Sequence, residues 1–305
     1  MRGDFNKHSY TMLLSRLNKH VFPYFGSLEI STITNKMICE FVSFLNKLNL
    51  STITISQYII ALRKVLRYSL SREYIQKVPA FPKIKLSSIP RGGFSIQEYV
   101  LLVRKAKELS YAPLECKKTT HRNTRSGIYT SSQKLPHEFA WLIRFMVNSF
   151  LRPVDIKLIQ HQHIQLVRGD NTYLRISLPE TKKHTAKIVT LSAAVIIYEN
   201  LLKFKSSRGF GAKNDYQDRE AAIFVIGKHF RHLLEATNLR KGSLGQNRSL
   251  YSLRHTAITY RLLYGNGIDL LTLARNARTS VEMIERFYAS ALTPEMNIAM
   301  LQSRR

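Results

Sequence analysis

The sequence has very little cysteine and no long apolar segment. Cys39 and Cys116 are its two cysteines, too few and too far apart for a disulfide framework or a zinc cluster, which indicates a reducing compartment. No run approaches the roughly 18 consecutive apolar residues of a membrane-spanning helix. The N-terminus, with Arg2, Asp4 and Lys7, lacks the apolar core of a secretory signal. We therefore expect a soluble cytoplasmic protein that has no membrane partner.

Several enzyme signatures are also missing. The sequence contains no Walker-type glycine loop, no Cys/His spacing for a metal and no dense acidic cluster of the kind that two-metal nucleases use. Its 20 acidic residues are scattered along 305 positions. We therefore expect no metal ion and no other cofactor.

Basic charge is what the chain has in excess. The 47 lysines and arginines give a net charge of +27 and a pI near 10.2, while an apolar content of 44% is that of a folded protein. An excess of this size predicts a polyanionic partner, nucleic acid before a ribosomal or membrane surface. At 305 residues the chain is long enough for two domains.

The first 78 residues predict a helical domain. Apolar residues recur there at helical spacing, without any strand signal, in three stripes: Leu13, Leu14, Leu17 and Val21; Met37, Phe41, Phe44, Leu45 and Leu48; Ile55, Ile59, Leu62 and Leu66. The third stripe is flanked by four basic residues, Arg63, Lys64, Arg67 and Arg72. These predict a face that follows DNA phosphates, and an ordinary solvated helix face is the alternative.

Residues 79–93 predict a basic linker. They include three prolines and two glycines, which disfavour helix and favour an extended connection, together with the basic residues Lys83, Lys85 and Arg91. The predicted domains are thus 1–78 and 94–305.

The second domain is predicted to be mostly helical with one β-hairpin. Ser95 and Glu98 form a capping-box pattern. A helix over about 137–150 ends at Leu151-Arg152-Pro153, and further helices are expected near 192–204, 228–238, 253–264, 269–277 and 281–290. Residues 173–178 and 187–191 alternate like strands, and segments 116–134 and 205–220 are predicted loops. The fold class is therefore mainly α with a small sheet, an α+β fold.

Four features follow one another in a particular order in this domain. Arg152 lies at a helix junction, Lys182 and Lys183 lie in the hairpin, Tyr251-Ser252-Leu253-Arg254-His255-Thr256 begins a helix, and Tyr288 lies 34 residues after Arg254. This order resembles the tyrosine recombinases, that is, the phage integrases and Xer-type recombinases. The resemblance covers nearly the whole chain, since the first domain is similar to the family's core-binding domain.

The resemblance implies a phosphate site built from two arginines. Arg152 and Arg254 would clamp the scissile phosphate, for which the planar, always charged guanidinium is well suited. The alternative for Arg152 is a helix-start residue paired with a carboxylate. Arg254 lies in an otherwise uncharged stretch, so it needs an anionic partner if it is buried.

The resemblance also implies a nucleophile and a general acid. Tyr288 would attack the phosphorus and form a 3′-phosphotyrosyl link, and neighbouring guanidinium groups would favour its phenolate. The alternative for Tyr288 is a core tyrosine. The hairpin lysine would protonate the leaving oxygen. Lys182 and Lys183 both fit this role, and the other one would be a solvated, DNA-facing lysine.

Two positions depart from the usual family pattern. Tyr251 stands where a histidine is common, and Thr279 stands where histidine or tryptophan is common, nine residues before Tyr288. Thr279 together with Glu282 also matches a capping box for the tyrosine-bearing helix. His255, adjacent to Arg254, is a further candidate site residue, which is expected to pack or to bond internally, with a role in the chemistry as the alternative.

The implied function is site-specific cleavage and rejoining of double-stranded DNA by four protomers, and accessory DNA-bending proteins fit the same scheme. The tail, residues 289–305, would dock on a neighbouring protomer or fold onto its own domain. Two alternatives stay open at this point. One is a DNA-relaxing enzyme similar to type IB topoisomerases, and the other is a DNA-binding protein of the same fold with impaired catalysis.

Overall fold

The chain forms two compact units, residues 1–89 and 90–305, in the computed structural model. The structure describes residues 7–85, 92–111, 114–117, 130–133, 135–178, 187–207, 224, 229–243, 245–265 and 267–288. Within these ranges no helix combines the length and the apolar character needed to cross a bilayer.

The first unit is a small helical bundle. Its helices are α1 (Lys7–Arg16), α2 (Phe22–Phe25), α3 (Asn35–Lys47) and α4 (Thr52–Ser71), with a π-helical turn at Leu17–Val21 and a 3-10 turn at Ile30–Thr32. The side chains of Thr34 and Ser51 cap α3 and α4 by accepting from backbone N–H groups, as short hydroxyl residues do at helix N-termini. The predicted apolar stripes supply its core, which includes Phe41, Leu45 and Leu66.

The first part of the predicted linker packs on this bundle. Phe81 and Ile84 pack against its core, and the Arg63 guanidinium lies 4.5 Å above the Phe81 ring. The side-chain amide of Asn35 donates to the carbonyl of Ala80 at 2.6 Å. The apolar side chains of the linker therefore pack on the bundle, whereas its prolines alone predict only an extended connection.

The second unit is mainly helical. Its helices are α5 (Ile96–Tyr111), α6 (Phe139–Ser149), α7 (Pro153–Leu158), α8 (Ser192–Ser207), α9 (His229–Ala236), α10 (Tyr251–Tyr264), α11 (Leu270–Asn276) and α12 (Val281–Tyr288). The predicted capping box of α5 is confirmed: the Ser95 N–H donates to the Glu98 carboxylate at 2.9 Å, and the Glu98 N–H donates to the Ser95 hydroxyl at 3.2 Å.

The described part of this unit also contains five short strands. They are β1 (Leu114–Lys117), β2 (Thr130–Gln133), β3 (Ile164–Val167), β4 (Tyr173–Ile176) and β5 (Ile188–Val189). β1 pairs with β2, and an antiparallel sheet has the order β3-β4-β5. The predicted hairpin is β4 and β5, with Arg175 opposite Val189. β1, β2 and β3 were not predicted, because a strand of four residues is too short to show a clear alternation of apolar and polar residues.

Two apolar clusters hold the second unit together. The larger surrounds α6, which is buried on nearly all sides, and includes Phe139, Phe145 and Met146. The smaller joins α10, α11 and α12 and includes Ile258, Leu273, Ile284 and Tyr288. The predicted fold class, mainly α with a small sheet, is confirmed.

Candidate active site

Arg254 is the most deeply buried charged side chain of the candidate site, with 2% of its surface exposed. It lies in the first turn of α10, and its guanidinium donates to the backbone carbonyls of Phe150 and Ala277. Burial lowers its pKa and so does the nearby charge of Arg152, while Tyr251, Tyr288 and Asp155 act in the opposite direction. Arg254 thus connects the end of α6 to the end of α11.

The backbone around these carbonyls is strained. Phe150 and Arg278 have positive φ angles of 57° and 50°, which for residues other than glycine costs roughly 1–3 kcal/mol each. Both residues follow the last turn of a helix, where the final carbonyls have no partner within the helix. The left-handed residues end α6 and α11 abruptly, and guanidinium groups bind the carbonyls there.

Arg152 reaches the same turn from another direction. It occupies the N-cap position of α7, where the Asp155 carboxylate accepts from its backbone N–H at 2.9 Å, and its guanidinium donates to the carbonyl of Arg278. The guanidinium groups of Arg152 and Arg254 therefore bind adjacent carbonyls of one turn. Among the described side chains, neither guanidinium forms an ion pair with a carboxylate. Two guanidinium groups held close together in this way are chemically suited to binding an anion.

Tyr288 lies near Arg254, at the end of α12. It is 7% exposed, and burial raises the pKa of its phenol, although Arg254 lowers it and Tyr251 raises it further. The Arg254 guanidinium thus favours the phenolate, as expected, but burial has the larger effect on the pKa. Burial therefore favours the neutral phenol.

An aromatic row links Tyr288 to the first turn of α10. The His255 ring lies 5.1 Å from the Tyr288 ring and 5.2 Å from the Tyr251 ring, centroid to centroid. His255 is buried, in agreement with the expectation that it packs internally. Ring contacts thus join three residues that the sequence predicted for the site.

Thr279 does not cap α12. The hydroxyl of Ser280 accepts from the Met283 N–H at 3.3 Å instead, while the Thr279 N–H donates to the Ala274 carbonyl at 2.9 Å. The predicted capping box of Thr279 and Glu282 is therefore wrong by one residue, because the left-handed Arg278 turn places Thr279 before the cap.

The start of α10 is held by residues that the sequence did not single out. Arg248 forms a double ion pair with Glu98 on α5, both bonds at 2.8 Å, and its guanidinium lies 4.7 Å from the centre of the Phe94 ring. The Phe94 N–H donates to the Thr256 hydroxyl at 2.8 Å. The capping-box residue Glu98 was the available signal in the sequence: its carboxylate accepts from the Ser95 N–H and from both terminal nitrogens of Arg248.

Lys182, Lys183 and residues 289–305 lie outside the described residues. In the part of the chain that is described, no three His, Cys, Asp or Glu side chains are grouped so that they could hold a metal ion.

The predicted DNA-binding residues lie on and after α4 in the first unit. Lys64, Arg67, Arg72, Lys83 and Lys85 are exposed, and the Arg72 side chain donates to the Tyr68 hydroxyl at 3.1 Å. Arg63 differs from them, because it is half-buried against Phe81. Arg91 lies outside the described residues.

Comparison with known proteins supports the resemblance. Residues 4–86 match the model of the phage integrase SAM-like domain. No curated protein matches the chain. Among solved structures, the Tn1549 transposon integrase in complex with transposon right end DNA has a TM-score of 0.68 at 13% identity, over 99% of this chain and 95% of that chain.

Two further structures have the same fold. A lambda integrase dimer bound to a COC′ core site has a TM-score of 0.62 at 14% identity, over 94% of this chain and 90% of that chain. The post-cleavage complex of the XerH site-specific recombinase with a palindromic difH substrate has a TM-score of 0.59 at 17% identity, over 97% of this chain and 79% of that chain. The resemblance to tyrosine recombinases is thereby confirmed in the first domain and in the fold.

Proposed function

We propose that this protein is a site-specific DNA recombinase that cleaves and rejoins DNA through a 3′-phosphotyrosyl intermediate. The observation that carries the proposal is that Arg152 and Arg254 bind adjacent carbonyls of the turn at residues 277–278, while the buried Tyr288 lies close enough to Arg254 for the guanidinium charge to act on its phenol. A general DNA-binding protein has no need for a buried tyrosine near a guanidinium group that backbone carbonyls hold in place.

The arginines would hold the scissile phosphate. Each guanidinium has five N–H donors in a planar fork, and Arg254 uses donors on both terminal nitrogens for backbone carbonyls. The remaining donors would bind the non-bridging oxygens, whose negative charge increases as the phosphorus becomes five-coordinate. Because the carbonyls fix the guanidinium groups in advance, little reorganisation is needed in the transition state.

Tyr288 would supply the nucleophile. Its phenolic oxygen forms the new bond to phosphorus, the bond from phosphorus to the 5′ oxygen breaks, and the phenolic proton leaves to a base. His255 is the titratable ring packed against Tyr288, which makes it the candidate acceptor, with Tyr251 beyond it. The 5′ oxygen takes its proton from Lys182 or Lys183. The reverse steps, with a different 5′ hydroxyl, rejoin the strands.

The first unit would bind duplex DNA through the exposed basic residues on and after α4. The solved structures named above are complexes with transposon right end DNA, with a COC′ core site and with a palindromic difH substrate, which supports double-stranded DNA as the partner. Four protomers would assemble on two sites, with residues 289–305 docking on a neighbour. Integration and excision both fit this scheme.

A covalent adduct tests the proposal. The protein is incubated with a pooled library of nicked duplexes in which cleavage releases a short fragment and so cannot be reversed, and adducts are separated by denaturing electrophoresis. We expect an adduct with wild type and none with Tyr288→Phe. Tyr264→Phe is the matched control, because Tyr264 lies on α10 and is exposed; it should form the adduct normally. Sequencing the trapped DNA then identifies the site.

Two outcomes would overturn the proposal. If wild type binds a specific sequence but forms no adduct there, the protein is a DNA-binding protein with impaired catalysis. If it relaxes supercoiled plasmid as a monomer at any sequence, it is a DNA-relaxing enzyme of the type IB kind.

A further inference from the structure

The open edge of the β3-β4-β5 sheet is occupied by one side chain. β5 is an edge strand in this sheet. The Asn276 side-chain oxygen accepts from the Val189 N–H at 2.7 Å, and its side-chain nitrogen donates to the Val189 carbonyl at 2.9 Å. An amide carries one acceptor and one donor group in the arrangement of a peptide. Asn276 therefore binds β5 as a residue of a further strand would.

The pairing of β5 with β4 determines which backbone groups of β5 face the open edge. The N–H of Thr190, next to Val189, donates to the carbonyl of Leu174 on the β4 side at 3.1 Å. Alternate residues of a strand direct their backbone groups to opposite edges, so the two groups of Val189 face away from β4. An unpaired strand edge of this kind ordinarily needs protection or a partner.

Asn276 lies next in the chain to the residues that bind the two arginines. Asn276 is the last residue of α11, and the next two residues, Ala277 and Arg278, provide the carbonyls that bind Arg254 and Arg152. On the other side, Lys182 and Lys183 precede β5 in sequence by only a few residues. The two bonds of Asn276 thus join the strand that follows the lysines to the turn that holds the arginines.

We propose that Asn276 is a positioning residue for proton donation to the leaving oxygen. This inference rests on the proposed function. By fixing β5 against the 277–278 turn, Asn276 sets the distance between the general-acid lysine and a phosphate held by Arg152 and Arg254. Its loss should impair leaving-group protonation selectively and leave phosphate binding and nucleophilic attack in place.

The test compares two DNA substrates. In one, the 5′ bridging oxygen at the cleavage site is replaced by sulfur. A thiol has a pKa near 8.5, far below that of an alcohol, so sulfur leaves without needing a proton donor. We expect Asn276→Ala to cleave ordinary DNA roughly 10- to 100-fold more slowly, as for a misplaced catalytic group, and to cleave the sulfur substrate at close to the wild-type rate.

Three variants serve as comparisons. Asn171→Ala, at an exposed asparagine between β3 and β4, should match wild type on both substrates. Arg254→Ala should be slow on both, because its defect lies in charge stabilisation. Asn276→Asp keeps an acceptor for the Val189 N–H but loses the donor, so it should show a partial defect on ordinary DNA. Amide hydrogen exchange at Val189 should be faster in Asn276→Ala than in wild type, which reports the lost bond without any DNA.

The outcomes are distinguishable. Equal slowing of Asn276→Ala on both substrates would overturn the inference, since Asn276 would then act through the arginines or the fold. Unchanged cleavage of both would overturn it as well. If wild type cleaves neither substrate, the proposed function itself fails.

Discussion

The guanidinium of Arg254 donates to the carbonyl of Phe150, 104 positions earlier in the chain, and the backbone of Phe150 is left-handed, with φ at 57°. The bond therefore joins the end of the most buried helix to the start of α10. Arg254 has a structural role in addition to its proposed catalytic one, and an experiment on it must separate the two.

Arg254→Ala should reduce DNA cleavage by about 10²-fold or more, by analogy with removing one preorganised charge-stabilising donor, while affinity for DNA changes little. Arg152→Ala should behave in the same way. Stability must be measured in parallel, since each carbonyl left without a partner costs about 1–3 kcal/mol. Arg261→Ala, on the same helix, is the control. An equal loss of affinity and of cleavage would contradict the assigned role.

Acid should weaken the second unit through Glu98. Burial would raise the pKa of this carboxyl, but hydrogen bonds from Arg248 and Ser95 and the charge of Arg248 together lower it below 4.5. The folded state therefore binds the proton less readily than the unfolded state, so this contribution is complete above pH 4.5 and is lost as the pH falls below it. Urea unfolding from pH 7 to 3 should show the difference between wild type and Glu98→Gln shrinking on acidification.

The control for this pH effect is Glu108→Gln. Glu108 pairs with Lys105 at 2.8 Å on the exposed side of α5, and exposed pairs contribute little. Its substitution should change stability only slightly at any of these pH values. A constant difference between wild type and Glu98→Gln across the range would contradict the prediction.

Glu73→Gly should stabilise the first unit by roughly 0.5–1 kcal/mol. Glu73 follows α4 with φ at 62°, and glycine adopts this left-handed conformation without steric cost. The substitution also removes a negative charge from the negative end of the helix dipole. Glu73→Gln removes the charge alone and should give a smaller gain in thermal unfolding. Destabilisation by glycine would show that the left-handed backbone is not strained.

Binding of DNA should weaken steeply with salt. If about six phosphates are neutralised, affinity should fall on the order of 10³-fold between 50 and 200 mM salt. Lys64→Ala and Arg67→Ala, both exposed on α4, should each reduce the slope of log affinity against log salt by about one. Glu40→Gln on α3 is the control, because it removes a negative charge instead of a positive one. A flat salt profile would argue against the basic face as the DNA contact.

Much of the architecture could be predicted from local sequence patterns. The stripes that contain Phe41 and Leu66 predicted α3 and α4, because a helix that buries one face must repeat its apolar residues at helical spacing. The strands β1 and β3 were not predicted, since strands of four residues depend on a partner strand rather than on their own pattern. The packing of Phe81 against the first bundle was likewise hidden by the prolines around it.

The chemical types and the order of Arg152, Arg254 and Tyr288 were evident from the sequence alone, because a residue's charge and its place in a motif are local properties. The atoms that hold them were not. The binding of both guanidinium groups to one turn, the capping of α12 by Ser280 instead of Thr279, and the contact of Asn276 with Val189 all depend on how the chain folds around them. Only the packing of α6, α10, α11 and β5 brings the distant residues among them within hydrogen-bond distance, so these details were decided by the tertiary structure.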